Sequence, residues 1–348
     1  MAMHAMTSVA LHGSSARACF GRKGKCHLTQ PAMPIRGAGV VRFGRQRTAA
    51  AVLKRGPVKV CAIATPPTVP ATNGNGAAVG APATAPAPPL ALPPPAVFKA
   101  IVGASKAKAA YPLMKTLVLS FSAGALIGIG ALLCTHVGGS SPALAAANPG
   151  LCDFLKGAVG LPVGLALVVL TGAELFTGNV MVMLAGYLNK TVTAGQAVKN
   201  WLVSYMGNFV GSLFLAYLSF CACTMAAPPF STAAVKIATG KATLPFGVAF
   251  AKGILCNWLV CLAVWCAMAS NTIMGKLGAI WFPISTFICL GFEHSVANMF
   301  IIPQGMLAGA SITWSQFIFG NLVPVTLGNI VGAAIFVVGI HHIAYAEK

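Results

Sequence analysis

Acidic residues are almost absent from this sequence. Its 348 residues contain four of them, Asp153, Glu174, Glu293 and Glu347. Charged residues make up 8% of the chain, against roughly one-quarter in soluble domains. Hydrophobic residues make up 57%. A water-soluble globule cannot bury that much apolar surface, so the composition indicates an integral membrane protein.

Arginine is also absent from most of the chain. All arginines fall within the first 60 residues, and residues 1–100 hold 12 of the 23 basic residues. The remainder carries 11 basic residues against 4 acids, a net charge of +7 within the total of +19. Because the surplus belongs mainly to the N-terminal region, it does not indicate a basic face on a folded domain, and we expect no nucleic-acid partner.

The cysteines and glycines form no recognisable cofactor motif. Most of the 11 cysteines lie in the leader or in apolar runs, and Cys221 and Cys223 form a CxC rather than a CxxC motif. This pattern favours neither disulfides nor zinc. The glycine-rich stretch at 123–130 lies inside an apolar run, so it predicts small-residue helix packing rather than a phosphate loop. We therefore expect neither a metal nor a cofactor.

The N-terminal region resembles a targeting sequence followed by a linker. Residues 1–60 place arginines among Ala, Ser, Gly and Thr with no acid and no compact apolar stretch, which is typical of a transit peptide. A plastid is the predicted destination, with cleavage near Cys61, and a mitochondrial destination stays open. Residues 61–98 are rich in Pro and Ala, and this composition predicts a disordered tether.

Residues 99–348 form the predicted transmembrane domain. It contains six hydrophobic stretches, each reaching the ~20 residues that cross a ~30 Å hydrocarbon core, at 113–134, 158–188, 200–223, 246–269, 280–302 and 317–341. An even number of spans places both termini on one side. Lysines are more frequent on that side than in the opposite loops, and the positive-inside rule predicts stromal termini. The expected location is a chloroplast membrane, with the inner envelope favoured.

An internal repeat is visible within this region. Gly172, Glu174 and Asn179 superpose on Gly291, Glu293 and Asn298 at an offset of 119 residues, and GNFVG at 207–211 matches GNIVG at 328–332 at an offset of 121. Each unit holds three spans, so the second enters the membrane from the opposite side. The sequence thus predicts an inverted repeat with a pseudo-twofold axis in the membrane plane.

The repeated Gly-Glu-Asn boxes fall in the middle of spans two and five. An ionisable group is costly in lipid, so Glu174 and Glu293 must face protein or water. The boxes predict broken helices, with half-helix N-termini following Asn179 and Asn298 and directing positive dipole ends inward. Packing kinks with satisfied acids are the alternative. His294 lies beside Glu293, and it is either an active group or a satisfied core histidine.

Seven segments of the sequence resemble the formate/nitrite transporter family. They are GAELFTGN at 172–179, KNW at 199–201, GNFVG at 207–211, ILCNWLVCLAVW at 254–265, GFEHSVANMF at 291–300, IP at 302–303 and NLVPVTLGNIVG at 321–332. The resemblance covers residues 105–342, and the leader and tether are similar to those of the green-algal plastid branch. It implies an all-α, aquaporin-like protomer of six transmembrane helices with helices two and five broken, assembled as a homopentamer.

The resemblance also assigns roles to individual residues. It places the central histidine at His294, the loop threonine at Thr177, the pore asparagine at Asn257 and a constriction residue at Phe176. It implies vestibule lysines at Lys241 on one side and at Lys108 or Lys106 on the other. We expect four residues to brace the broken segments, namely Glu174, Glu293, Asn179 and Asn298. A buried helix–helix polar contact is the alternative role for Asn257.

These features predict a non-enzymatic channel or transporter of small monovalent weak-acid anions. Burying a bare ion costs on the order of tens of kcal/mol, whereas protonating a weak acid three to four pH units above its pKa costs only about 4 to 5 kcal/mol. We therefore expect nitrite and formate to pass into the stroma with proton exchange at His294. A bicarbonate channel and an aquaporin-type neutral-solute channel are alternatives. An intramembrane hydrolase based on Ser295 lacks an orienting partner.

Overall fold

The structure is a computed structural model that describes residues 91–346. The predicted transit peptide at 1–60, the first part of the predicted tether and the last two residues lie outside the described residues. Within 91–346 the chain is helical and contains no β-strand, which confirms the all-α prediction for this part. The helices are α1 Pro94–Ala109, α2 Leu113–Gly139, α3 Pro142–Ala147, α4 Pro149–Val159, α5 Leu161–Thr171, α6 Phe176–Leu188, α7 Ala194–Cys221, α8 Phe230–Ala242, α9 Phe246–Ala269, α10 Ile273–Cys289, α11 Ser295–Leu307 and α12 Gln316–Tyr345.

Five helical segments of the described chain are long and apolar enough to cross a membrane. They are α2, α4 and α5 taken together, α7, α9 and α12. Two predicted spans are interrupted. The stretch at 158–188 is divided by residues 172–175, and the stretch at 280–302 lies within α10 and α11, which are separated by residues 290–294. The halves α6, α10 and α11 are short apolar helices.

The helix starts after both breaks differ from the prediction. We expected the half-helices to follow Asn179 and Asn298, but α6 begins at Phe176 and α11 begins at Ser295. That expectation was wrong because both asparagines have helical backbone in the first turn, and their side chains turn back toward the acid of the same box. The predicted position was therefore late by about one turn of helix.

The first helix begins inside the predicted tether. Helix α1 starts at Pro94, so the tether does not extend to residue 98. Proline is tolerated in the first turn of a helix because its missing N–H has no partner there. Beyond it, Val97, Phe98 and Ile101 are buried against the rest of the bundle. This packing stabilises a helix that the Pro- and Ala-rich composition alone does not predict.

Close packing of helix pairs explains the repeated GNxVG motif. Gly211 in α7 lies against the carbonyl of Phe121 in α2, and Gly332 in α12 lies against the carbonyl of Ile254 in α9. A β-carbon at either glycine would overlap that carbonyl oxygen. The motif thus lets α7 approach α2 and α12 approach α9 in the same way. Both helix pairs also contact the helices that follow the breaks.

Candidate functional site

Both breaks begin with the same backbone turn. Gly172 follows α5 with φ of +69°, and Gly291 follows the end of α10 with φ of +67°. These values lie in the left-handed region, which glycine adopts without the steric cost of a β-carbon. The chain then runs in extended conformation through Leu175 and His294 into the next helix. The two glycines of the repeated boxes are therefore required by the turn.

Asn208 in α7 fixes the first break to its surroundings. Its Nδ2 donates to the carbonyl of Ser120 in α2 at 2.8 Å and to the carbonyl of Glu174 at 2.9 Å. Its Oδ1 accepts the backbone N–H of Phe176 at 2.8 Å. One buried side chain thereby satisfies three backbone groups where the helix is interrupted, groups that would otherwise be costly to bury.

Asn329 in α12 repeats this arrangement at the second break. Its Nδ2 donates to the carbonyls of Gly253 and Glu293 at 2.8 and 3.0 Å, and its Oδ1 accepts the N–H of Ser295 at 2.9 Å. Asn208 and Asn329 are both fully buried. Sequence reasoning gave these asparagines no role, although their position at one offset in the GNxVG repeat was the available signal.

Glu174 is a buried acid with three side-chain partners. Its Oε1 pairs with the ammonium of Lys108. Its Oε2 accepts from Asn179 at 2.8 Å and from Asn200 at 3.5 Å. The structure thus places Lys108 at this acid, whereas Lys106, the alternative candidate, is exposed on α1.

Glu293 has the equivalent partners in the second half. Its Oε1 accepts from Lys241 at 2.8 Å, and its Oε2 accepts from Asn298 at 2.7 Å and from Asn321 at 3.3 Å. Each acid therefore has one lysine and two asparagines around it. Sequence reasoning missed Asn200 and Asn321, which are also related by an offset of 121 residues.

His294 and Thr177 bring the two breaks into contact. The Nε2 of His294, immediately before α11, lies 3.0 Å from the Oγ1 of Thr177 in the first turn of α6. Both side chains are buried. The ring of Phe287 stacks near the imidazole with a centroid separation of 6.1 Å. Two residues that are 117 positions apart in sequence thus meet where the two half-helices begin.

The hydrogen bonds assign the tautomer of His294. Its Nδ1 accepts the backbone N–H of Ala297 at 3.0 Å, so the side chain caps α11. A nitrogen that accepts an N–H carries no proton, and a neutral imidazole then carries its proton on Nε2. The Nε2–H donates to the Thr177 oxygen. The hydroxyl hydrogen of Thr177 is therefore left to donate to a further acceptor.

Asn257 and Phe176 have packing partners in this arrangement. The Nδ2 of Asn257 donates to the carbonyls of Thr177 and Asn329, at 3.2 and 2.7 Å. It therefore makes the buried interhelical contact that was the alternative to a pore role. Phe176 is buried and meets Tyr205 edge to face, with a centroid separation of 4.9 Å.

Two cavities lie at opposite ends of α2. The narrow vestibule, of about 170 Å³, is lined by Leu113 and Thr116 at the start of α2 together with Lys108, Lys199 and Asn200. The wide vestibule, of about 930 Å³, is lined by residues at the end of α2 and by four lysines, namely Lys156, Lys236, Lys241 and Lys252. Helix α2 has 27 residues and is about 40 Å long, so the two vestibules lie far apart.

An inner cavity reaches the central histidine and shares lining residues with the wide vestibule. It has a volume of about 190 Å³, and its lining includes His294, Phe292 and Asn298. Lys241 and Gly291 line both this cavity and the wide vestibule. Two broken helices meeting at a buried histidine, with lysine-lined cavities, define a membrane protein of the channel or transporter class.

Comparison with known proteins gives the family. The family model described as Formate/nitrite transporter matches residues 95–343. A probable formate transporter of Methanothermobacter thermautotrophicus is 45% identical over 265 residues, covering 72% of this chain and 96% of the relative. Formate channel BtFdhC of Bacillus thuringiensis is 38% identical over 255 residues, covering 73% and 96%. The chain belongs to the formate/nitrite transporter family.

Solved structures agree with this assignment. An FNT family ion channel superposes with a TM-score of 0.66 at 32% identity, covering 72% of this chain and 98% of the other. A pentameric formate channel with formate bound gives a TM-score of 0.60 at 32% identity, covering 68% and 98%. These relatives are transporters and channels by name, which is consistent with a protein that is not an enzyme.

Proposed function

We propose that this protein is a pore for small monovalent weak-acid anions, with nitrite and formate as cargo. The contact between Thr177 and His294 carries the proposal, because it offers a directed hydroxyl hydrogen at the junction of two half-helix N-termini. The first turns of α6 and α11 add partial positive charge at the same point. An anion entering from either vestibule would meet a hydrogen-bond donor there.

The tautomer of His294 refines the proposed proton exchange. In this arrangement the neutral imidazole donates to Thr177, and the Thr177 hydroxyl donates to the cargo. The ring can release a proton outright only after gaining one at Nδ1, which would break the cap to Ala297. We therefore propose that the pair shares hydrogen bonds with a cargo that takes its proton from water in the vestibule. Neutralisation remains far less costly than burying the bare ion.

The paired charges support the two breaks in this proposal. Lys108 and Lys241 each neutralise a buried acid, and four asparagines complete the two networks. Phe176 is proposed to narrow the path next to Thr177. The protomer would contain six spans arranged as an inverted repeat, in which residues 149–188 and 273–307 each count as one interrupted span. A homopentamer is proposed because the similar solved formate channel is described as pentameric.

The leader supports a plastid location. Residues 1–60 combine arginines with small and hydroxylated residues and contain no acid. We propose insertion in the inner envelope with both termini in the stroma, where entering nitrite could be reduced. Transport of nitrite into the stroma is the resulting physiological function. Tagging the full chain with a fluorescent protein and fractionating plastids would test this location.

Competitive uptake into proteoliposomes tests the cargo. The purified protein should carry nitrite and formate, and the rate should rise as the external pH falls because each passage requires a proton. Bicarbonate has a conjugate acid that is the hydrated form of a membrane-permeant gas, so it gains little from such a route. Uptake of bicarbonate without nitrite entry would contradict the proposal and favour a bicarbonate channel.

A further inference from the structure

Lys252 occupies a position at which the two halves of the protein differ. In the first half the backbone N–H of Glu174 donates to the carbonyl of Leu119 in α2 at 3.1 Å. In the second half the N–H of Glu293 donates to the carbonyl of Lys252 in α9 at 3.3 Å. Leu119 and Lys252 are therefore structural counterparts, and both are half-buried. A leucine in one half is replaced by a charge in the other.

The ammonium of Lys252 has no acidic partner in residues 91–346. The three acids in that range each pair with a different lysine, in the pairs Lys108–Glu174, Lys156–Asp153 and Lys241–Glu293. The charge of Lys241 is therefore balanced by Glu293. Lys252 and Lys236 both line the wide vestibule without an ion pair to a carboxylate of the described chain, and Lys252 is the one whose carbonyl accepts from the second break.

The charge of Lys252 lies at the passage from the wide vestibule toward His294. The Nζ of Lys252 is 3.9 Å from the position that a β-carbon on Gly291 would occupy. Gly291 lines both the wide vestibule and the inner cavity that reaches His294. An anion moving between these cavities would pass the Lys252 ammonium. Among the described residues that line the wide vestibule, the one acid is Glu293, which is already paired with Lys241.

The first half lacks a lysine at the position equivalent to Lys252, although Lys199 in α7 also lines the narrow vestibule. The volume of that vestibule is about 170 Å³ against about 930 Å³, and Leu119 stands where the second half has Lys252. Lys108 there is neutralised by Glu174. An unbalanced charge next to the constricted path attracts anions more strongly than a charge shared with a carboxylate, because the field of a pair falls off faster with distance.

We propose that Lys252 is an anion-capture residue that binds small oxyanions at the inner end of the wide vestibule and gives the pore unequal affinities on its two sides. This inference rests on the proposed function and names the residue that selects its substrate class. The captured ligand is a monoanion such as formate or nitrite. Lys241 then acts chiefly by pairing with Glu293 in the second break, and Lys252 acts by binding the anion.

Uptake kinetics provide the first test. Lys252→Met keeps a long apolar side chain and removes the charge, and Lys252→Leu installs the residue of the first half. In proteoliposomes at low ionic strength, either change should raise the KM for formate about fivefold, the effect of a partly solvated charge contact, with the maximal rate little changed. High ionic strength should reduce the difference. Lys276→Met, at a lysine lining neither vestibule, is the matched control.

The reciprocal variant tests the sidedness. Leu119→Lys places an ammonium at the counterpart position of the first half, beside the break at Glu174, and should lower the KM for entry from the narrow vestibule. Oriented vesicles allow entry from each side to be measured separately. In wild type the KM should be lower on the side of the wide vestibule. An unchanged KM in both Lys252 variants would overturn the proposal.

A binding measurement separates this inference from the proposed function. Acetylation of lysines in the detergent-purified full chain, quantified by mass spectrometry, should slow about fivefold at Lys252 when formate or nitrite is present, and should not slow at Lys276. Protection without transport would refute the proposed function and retain the capture site. Transport without protection would refute the capture site and leave the proposed function in place.

Discussion

Glu174 in the first half and Glu293 in the second accept matching hydrogen bonds from a lysine and two asparagines. The residue before α6 is Leu175, however, whereas the residue before α11 is His294. Thr177 likewise has Val296 as its counterpart at the offset of 119. The groups that build the breaks are duplicated, and the two groups proposed to meet the cargo are not. This difference separates the structural residues from the proposed functional residues within one sequence.

Asn208 and Asn329, which bind the backbone at the two breaks and are called the asparagine clamps below, should have the largest effect on stability when they are substituted. Asn208→Leu and Asn329→Leu each delete three hydrogen bonds to buried backbone groups. Because those groups are left without partners, the free energy of unfolding should fall by roughly 3–6 kcal/mol in each variant. Thermal unfolding of the purified protein in detergent measures it. Asn148→Ala, at an exposed helix cap, is the control and should cost about 1 kcal/mol. A large loss in one half alone would show that the halves are not equivalent.

Breaking the ion pairs should cause the second-largest loss of stability. Substituting the lysine of a pair should cost more than substituting the glutamate. Lys108→Met and Lys241→Met leave a buried carboxylate without a counter-charge and should each cost about 3–5 kcal/mol. Glu174→Gln and Glu293→Gln should cost less, because the lysine side chains are 20% and 18% exposed and can reach water. Melting temperatures of the four variants give the ranking. Equal losses for lysine and glutamate variants would contradict this account.

Substituting the two glycines with positive φ should cause a smaller loss of stability, of similar size in both halves. Gly172→Ala and Gly291→Ala should each cost about 1–2 kcal/mol, because a β-carbon is strained in the left-handed region. Neither site is crowded, so strain is the expected cause. Gly103→Ala, which adds a methyl group in open space within α1, is the control and should not destabilise the protein. Unchanged melting temperatures for both break variants would refute a requirement for this turn.

Substitution of Lys106 should have almost no effect on stability or transport. Lys106→Ala removes an exposed charge from α1 and should change stability by no more than about 0.5 kcal/mol. Formate uptake should also be unaffected, since Lys108 is the lysine that contacts Glu174. Comparing Lys106→Ala with Lys108→Ala in one uptake assay resolves the ambiguity in the sequence. A transport defect in the Lys106 variant would indicate that Lys106 acts as a vestibule lysine.

The repeated boxes allowed much of the scaffold to be predicted from sequence. Two Gly-Glu-Asn boxes at one offset indicated both interruptions and the buried position of Glu174 and Glu293. The helix starts were misplaced because Asn179 and Asn298 were expected to end the break, whereas their side chains fold back while their backbones are already helical. Local sequence does not distinguish these two arrangements.

Long-range contacts accounted for what the sequence did not reveal. The clamps by Asn208 and Asn329 join segments that are 32 to 88 residues apart, and no local pattern indicates their partners. The start of α1 at Pro94 depends on burial of Val97 and Phe98 by distant helices. The tautomer of His294 depends on the N–H of Ala297 in the folded chain.

Proton-coupled uptake by a cap-preserving variant tests the central claim most directly. Asparagine is a favoured N-cap residue, so His294→Asn can still accept the N–H of Ala297 but is too short to reach Thr177 as the imidazole does. Nitrite uptake into liposomes with luminal pH recorded should show acid entering with nitrite in wild type. In His294→Asn both nitrite uptake and acid entry should be lost while the melting temperature is retained. Wild-type uptake and acidification by this variant would contradict the role of the His294–Thr177 pair.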